Sequence, residues 1–186
     1  MKYFFTLLLA ATSLLGSAQI DPEGARECVE KLRDGTLIVR LYYQEDRIEL
    51  LREEKTPEMV DAYIAEIERN NLAIRQAFAN EYTAGRVYFI NANNSGKLMS
   101  GDWDGIIMNA EGEIVDVPYM PYLVADISRS KNLGLEGLNI WDWNGEEWIH
   151  PPSPFPAFIS QYGFLSLYVR SYSEMVSKFN SNFVKD

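Results

Sequence analysis

The sequence predicts an α/β (or α+β) fold with a central mixed sheet, on three observations. Two β-branched, aromatic runs, residues 36–43 and 86–90, flank a long stretch of strong helix formers. This pattern is typical of an N-terminal βαβ unit with a long helical crossover, so we expect these strands to be parallel neighbours. Short apolar runs separated by turns predict a C-terminal half rich in antiparallel hairpins. Ser171-x-x-Glu174 is a capping box that opens a terminal helix.

The first 18 residues are expected to be a secretory signal peptide. Lys2 supplies a positive start, residues 3–15 are apolar, and residues 16–18 are the small residues that a signal peptidase requires. The apolar run is shorter than the ~20 residues that a membrane-spanning helix needs. Residues 19–186 are therefore expected to form a single globular domain that is soluble, periplasmic or secreted, and not membrane-spanning after signal removal.

The first helix of the domain is predicted to begin at Pro22, to be capped by Asp21 and to end at Gly35. Its apolar positions recur at intervals of three and four residues: Ala25, Cys28, Val29 and Leu32. Because free cysteine behaves as a small hydrophobe, we expect Cys28 to be a buried structural thiol.

The crossover is predicted to contain two helices. Thr56-Pro57 interrupts it as an N-cap and a first helical position would, which divides it into residues 45–54 and 57–82. The second helix carries an apolar stripe, with polar Asn71 within it: Val60, Ile64, Ile67, Ile74 and Phe78.

The second half is predicted to contain short strands at residues 105–108, 113–117, 122–127, 138–143, 146–150 and 164–169. Asn109–Gly112 is expected to join the first two as a hairpin turn. Four prolines between residues 151 and 156 predict an extended segment. The terminal helix is expected to direct four apolar side chains inward: Met175, Val176, Phe179 and Phe183.

The hairpin around Asn144-Gly145 is the strongest local signal in the chain. Asn-Gly favours a two-residue turn because both central residues need positive φ. In that register two pairs lie directly opposite one another: Trp141 with Trp148, and Asp142 with Glu147.

This hairpin is the predicted binding surface, and its candidate residues are Trp141, Asp142, Trp143, Glu147, Trp148 and His150. Its tryptophans share one face, and the histidine lies at the edge of that face. This arrangement suits a platform that stacks on sugars or binds a peptide, and it equally suits a face that packs on the core. The opposed acids would hold a cation, share a proton as an acid/base dyad, or simply be solvated at the hairpin tip.

Two further acids, Asp102 and Asp104, precede Gly105 at a spacing typical of part of a calcium loop. The EF-hand spacing is absent, and such fragments also occur in ordinary turns. Hydrolysis of glycosidic bonds needs only two carboxylates, so Asp102, Asp104 and Asp142 are also candidate acids.

Composition excludes several classes of function. One cysteine and one histidine form neither an internal disulfide nor an ordinary zinc site, so no metal site of this kind is expected. With 27 acidic and 17 basic residues, the chain is not expected to bind nucleic acid. It has no phosphate loop, dinucleotide fingerprint or G-x-S-x-G elbow, so no cofactor is expected.

The order of segments resembles a family of uncharacterised secreted proteins from Bacteroidota. The resemblance rests on four segments in this order. Residues 34–41 lead into a long charged helix, and residues 86–90 form the next predicted strand. A small polar loop, Asn94-Ser95-Gly96-Lys97, follows, and residues 154–158 precede the terminal helix. It implies an exported protein with an α/β fold and supplies no catalytic residues. The layout is also loosely similar to thioredoxin-like folds, although the C-x-x-C of their redox chemistry is absent.

The sequence therefore favours an exported, non-enzymatic binding or accessory protein of the cell envelope, whose partner is an envelope protein or a glycan. The alternative is a carboxylate-dependent hydrolase acting on glycans or envelope polymers. An enzyme would need two carboxylates converging in a deep cleft, whereas a binding protein would present an exposed aromatic patch or groove.

Overall fold

The computed structural model describes residues 20–130, 134–163 and 167–182. The predicted signal peptide, Phe183 and part of the strand predicted over 164–169 lie outside this range. Within it, five α-helices and a mixed sheet of six strands confirm the predicted α/β class.

The helices are α1 (Pro22–Glu30), α2 (Glu45–Glu54), α3 (Pro57–Glu81), α4 (Ser95–Met99) and α5 (Tyr172–Asn180). The strands are β1 (Thr36–Leu41), β2 (Arg86–Asn91), β3 (Tyr122–Arg129), β4 (Glu136–Trp143), β5 (Trp148–Ile149) and β6 (Phe158–Ser160). A π-helical turn, Lys31–Gly35, joins α1 to β1, and a 3₁₀ turn, Ala92–Asn94, precedes α4.

The sheet has the order β2-β1-β3-β4, and both β5 and β6 pair with the outer edge of β4. β1 is parallel to β2 and to β3, and β4 is antiparallel to its neighbours. The predicted parallel pairing across the crossover is confirmed, with Thr36 opposite Arg86 and Leu41 opposite Asn91.

The two faces of the sheet are covered differently. The helix-covered face packs against α1, α3 and α5, and Cys28, Phe78 and Phe179 belong to its core. The loop-covered face packs against the connection between β2 and β3, which contributes Leu98, Trp103, Ile106, Ile107 and Met120. The connection from β1 to β2 covers one face of the sheet, and the connection from β2 to β3 covers the other. Because β2 and β3 lie on opposite sides of β1, the strand order reverses beside β1, at the carboxyl ends of the parallel strands.

Two of the predicted helix starts have the expected side-chain caps, whereas Thr56 precedes Pro57 of α3 without a side-chain cap hydrogen bond. The Asp21 carboxylate accepts a hydrogen bond from the backbone N–H of Gly24 at 3.0 Å. Both hydrogen bonds of the capping box between Ser171 and Glu174 are present at the start of α5. The segment after α1 ends at Gly35, and only glycine fits there because a Cβ would lie 1.9 Å from the carbonyl oxygen of Pro121.

Buried side chains on the helices also match the predicted pattern. Cys28 is buried, and Asn71 is buried with its amide donating to the carbonyl of Tyr42 at 3.1 Å. On α3 the predicted stripe is buried except for Ile64, which is half-exposed. The described inward residues of the terminal helix are all buried: Met175, Val176 and Phe179.

Several strand predictions are wrong in extent. Residues 105–117 form the predicted turn, but instead of two strands they make only isolated bridges, from Met108 to Phe89 and to Ile114. Met108 exchanges backbone hydrogen bonds of 2.8 and 2.9 Å with Phe89, so this segment pairs with the free edge of β2. The strand predicted over residues 146–150 shortens to β5, and β6 is an additional strand that the sequence pattern does not predict.

A buried ion pair joins the two central strands on the loop-covered face. The Arg40 guanidinium of β1 contacts the Asp126 carboxylate of β3, and the two side chains are 15% and 1% exposed. Tyr42 and Ser128 donate hydroxyl hydrogen bonds to the same carboxylate, at 3.3 and 2.5 Å. The Asn139 amide of β4 then donates to the Ser128 hydroxyl at 3.1 Å, so the polar cluster reaches a third strand.

Asp126→Ala is expected to lower the free energy of unfolding by about 3–5 kcal/mol, because it leaves the Arg40 guanidinium buried without a counter-ion. The double variant Arg40→Met/Asp126→Ala should recover much of this loss. Urea unfolding followed by circular dichroism measures both effects. Glu136→Ala is the control: it breaks the exposed pair with Arg129 and should cost about 0–1 kcal/mol. If Asp126→Ala and Glu136→Ala lowered the free energy of unfolding equally, the structural importance of the buried pair would be contradicted.

Candidate functional site

The β4–β5 hairpin has a different register from the predicted one. Trp143 pairs with Trp148, so the loop is residues 144–147 and the predicted pairing of Trp141 with Trp148 is wrong. The Asn144 side-chain oxygen accepts hydrogen bonds from the backbone N–H groups two and three residues later, at 2.9 and 2.8 Å. These bonds favour the longer loop over a two-residue turn.

The shift equals two residues, so side chains keep their predicted faces. Trp143 and Trp148 remain on the face that Trp141 shares with His150. The predicted opposition of Asp142 and Glu147 is absent, however, because Asp142 pairs with Ile149 and Glu147 is exposed in the loop. Asp142 instead accepts two hydrogen bonds from the Lys31 ammonium, at 2.7 and 2.8 Å.

Part of the aromatic face is used for packing. Trp141 is buried and its ring stacks on the His150 ring with centroids 3.9 Å apart. His150 Nδ1 lies 2.9 Å from the carbonyl of Ile140, to which it donates, so this ring is fixed in place. The half-buried Trp148 lies 5.7 Å from the Arg40 guanidinium. Of the predicted binding residues, only Asp142 and Trp143 line a cleft described below.

This aromatic cleft, with a volume of about 250 Å³, opens at the amino-terminal end of β3. Its walls are contributed by four separate segments of the chain: Lys31, Met99, Tyr119, Tyr122, Asp142 and Trp143. The π-helical turn supplies the lysine, and the end of β4 supplies the aspartate and the tryptophan. One charged pair therefore lies beside three aromatic rings, with Met99 and Pro121 completing the lining.

Three rings support the exposed rim of the aromatic cleft. The Trp103 centroid lies 5.3 Å from the Tyr119 centroid and 5.5 Å from that of Tyr122. Trp103 and Tyr122 are buried, whereas Tyr119 is 66% exposed. Burial, with the nearby Tyr119 and Asp142, raises the pKa of Tyr122 to about 12, so its hydroxyl stays protonated and donates to the carbonyl of Leu98 at 3.3 Å.

Cys28 lies behind the ion pair of the cleft. Its sulfur is 4.0 Å from a carboxylate oxygen of Asp142. Burial, together with the charge of Asp142, raises the pKa of the Cys28 thiol to about 11. A thiol with this pKa is a poor nucleophile at neutral pH, which agrees with the predicted structural role.

The acids of the predicted calcium loop lie on a separate turn. Asp102 and Asp104 are exposed, while the Trp103 side chain between them points inward. Gly101 and Gly105 take positive φ values of 77° and 67°, which shape this turn. Throughout the described residues, no three His, Cys, Asp or Glu side chains gather where they could hold a metal ion. Calcium binding stays a prediction.

Sequence reasoning missed Lys31, Met99, Tyr119 and Tyr122. Lys31 and Met99 are distant in sequence from the hairpin, and no local pattern indicates that they meet it. The two tyrosines did leave a signal: each follows a proline, which restricts the backbone, in the segment Pro118-Tyr119-Met120-Pro121-Tyr122.

Comparison with known proteins finds no matching family model, no matching curated protein and no matching solved structure. None of the helices in the described part of the chain is long and apolar enough to cross a membrane.

The raised pKa of Cys28 predicts a loss of stability at alkaline pH. The unfolded thiol, with an ordinary pKa of 9.0, loses its proton before the folded thiol, whose pKa is about 11. Stability is therefore complete below pH 9 and falls as the pH rises toward 11. Between about pH 8 and 10, the free energy of unfolding of Cys28→Ala should fall by about 1 kcal/mol less than that of the wild type, as measured by urea unfolding. Identical pH profiles for the two proteins would contradict a buried, protonated thiol.

Proposed function

We propose that the protein is an exported, non-enzymatic binding or accessory protein of the cell envelope, and that it binds a saccharide in the aromatic cleft. The aromatic cleft itself carries the proposal, because an exposed tyrosine and a half-buried tryptophan flank an ion pair. Small-ligand sites commonly combine apolar and aromatic walls with a few well-placed polar groups.

The arrangement suits a saccharide for two reasons. The C–H groups on one side of a sugar ring form a flat, weakly apolar surface that stacks on an aromatic ring such as that of Tyr119 or Trp143. Sugar hydroxyls both donate and accept, so they match the Asp142 carboxylate and the Lys31 ammonium. The lysine side chain keeps 35% of its surface exposed and so is accessible to a ligand.

The same cleft offers little support for the hydrolase alternative. Glycosidases need two carboxyl groups about 5–10 Å apart, and Asp142 is the single carboxylate in the described lining of the aromatic cleft. Asp142 is already paired with Lys31 at 2.7 Å. Asp102 and Asp104 lie exposed on a separate turn, so the proposal is binding without catalysis.

Tyr119→Ala and Trp143→Ala are each expected to weaken saccharide binding about tenfold or more, because each removes a stacking surface. Soluble oligosaccharide fragments of cell-envelope glycans serve as probes, and isothermal titration calorimetry measures their binding. Tyr168→Ala is the matched control, because Tyr168 is also exposed but lies outside the aromatic cleft.

Two results would contradict the proposal. One is a loss of affinity in Tyr168→Ala equal to that in Tyr119→Ala and Trp143→Ala, and the other is that no fragment binds at millimolar concentration. Release of new reducing ends from the fragments by the wild type, abolished in Asp142→Asn, would favour the hydrolase instead.

A further inference from the structure

Two further clefts meet at the carboxyl ends of β1 and β2. One, of about 270 Å³, lies between α2 and α3, and the other, of about 290 Å³, lies beside β2 and the turn formed by residues 105–117. Tyr43 and Glu45 line both clefts, so the two form one elongated surface, which we call the carboxyl-edge groove. Ligands of open α/β sheets commonly bind outside the carboxyl ends of the parallel strands.

Both ends of the carboxyl-edge groove contain apolar side chains. Ile48, Ile64 and Ile67 lie at the end between the helices, with the oppositely charged Arg52 and Glu68 beside them. Ile106, Met108 and Ile114 lie at the end beside β2, with the polar Asn91 and Asn94. Ile114 is 58% exposed. Each end can therefore accept an apolar side chain from a partner.

The centre of the groove is negatively charged. The Glu45 carboxylate accepts hydrogen bonds from the side-chain amides of Asn91 and Asn93 at 3.0 and 2.7 Å, which orient it without neutralising its charge. None of the ion pairs formed among the described residues includes Glu45. Residues 45–69 contain nine acidic and four basic side chains, so a cation is favoured at this position.

The backbone at the centre is held in a conformation that is rare for its residue type. Gln44 takes a φ of 54°, in the left-handed region, between Tyr43 and Glu45. Its side-chain oxygen accepts a hydrogen bond from the Tyr63 hydroxyl at 2.6 Å, and its carbonyl accepts one from Ile48 N–H at 3.0 Å. Strained residues of this kind cluster at functional sites, where the surrounding structure maintains them.

Helix α2, which forms one wall, is poorly covered by the protein itself. It contains no buried residue, and its Leu50 is 62% exposed. Most helical stability in proteins comes from burying an apolar face, so this helix is suited to gaining contacts from a partner.

We propose that the carboxyl-edge groove binds a peptide segment of a partner protein in which a lysine or arginine is flanked on both sides by apolar residues. The basic side chain pairs with Glu45, and the apolar side chains enter the two ends. A second copy of this chain is disfavoured as the occupant, because each copy carries a net charge of −10 and would present the same acidic surface. The proposal is independent of saccharide binding in the aromatic cleft.

Selection of a phage-displayed library of random short peptides on the full mature chain tests this proposal. Enriched peptides are synthesised with a fluorescent label, and their affinities are measured by fluorescence anisotropy. We expect enrichment of a lysine or arginine between apolar residues. Binding should weaken as the salt concentration rises from about 0.05 to about 0.5 M, because the central contact is ionic.

Glu45→Lys is expected to weaken binding of these peptides about tenfold or more, because it places a cation against a cation. The matched control is Glu49→Lys, which makes the same charge change on the same helix but outside the groove lining, and should change affinity less than about threefold. Ile114→Asp alters an exposed residue at one apolar end and should weaken binding about fivefold or more, which provides a second test if Glu45→Lys fails to fold.

Three results of the peptide measurements would overturn the proposal: no enrichment of any peptide, enrichment of acidic peptides, or an equal loss of affinity in Glu45→Lys and Glu49→Lys. Sedimentation velocity tests the other occupant. A wild-type dimer that Glu45→Lys dissociates would assign the groove to a second copy and also overturn the proposal. Tyr119→Ala should leave peptide binding unchanged. Failure of the peptide proposal can therefore be distinguished from failure of the saccharide proposal.

Discussion

The buried ion pair between Arg40 and Asp126 constrains how the central strands align. Val39 pairs with Ala125, so the next residue on each strand brings the guanidinium beside the carboxylate. A slip of one residue would leave a buried charge without its partner, which costs several kcal/mol. Asp126 also lies opposite Asn139 of β4, so the same constraint extends to a third strand. Because the attraction within a buried ion pair is largely offset by the cost of removing both charges from water, we expect this pair to matter more for strand alignment than for total stability.

A sheet aligned in this way places the two proposed binding surfaces at its opposite ends. The aromatic cleft lies at the amino-terminal end of β3, where Lys31 and Asp142 join α1's π-helical extension to the end of β4. The carboxyl-edge groove lies where β1 and β2 end. One surface combines aromatic rings with the ion pair of Lys31 and Asp142, and the other combines apolar side chains with the Glu45 carboxylate, which no ion pair among the described residues includes. Their chemistry differs, so the two proposals concern different ligands.

Local patterns in the sequence were sufficient for features that depend on neighbouring residues. The Asp21 cap, the Ser171–Glu174 capping box and the buried face of Cys28 follow from spacing within one or two helical turns. The hairpin register did not follow, because the Asn144 side chain bonds to the loop backbone and favours four loop residues over two. The shared face of its tryptophans survived the error, since a two-residue shift preserves alternation. The aromatic cleft depends on Lys31 meeting Asp142 across the fold, and no local pattern contains that contact.

The most direct test of the account is to observe where a saccharide contacts the protein. The measurement is a series of two-dimensional ¹H–¹⁵N NMR spectra of the ¹⁵N-labelled protein, residues 19–186, during titration with soluble envelope oligosaccharides. The account predicts that the largest shifts occur at the indole N–H of Trp143 and at the backbone N–H groups of Tyr119 and Tyr122, with little change at Trp148 or Glu45. Shifts centred on Trp148 or on the carboxyl-edge groove, or spectra that do not change, would contradict it.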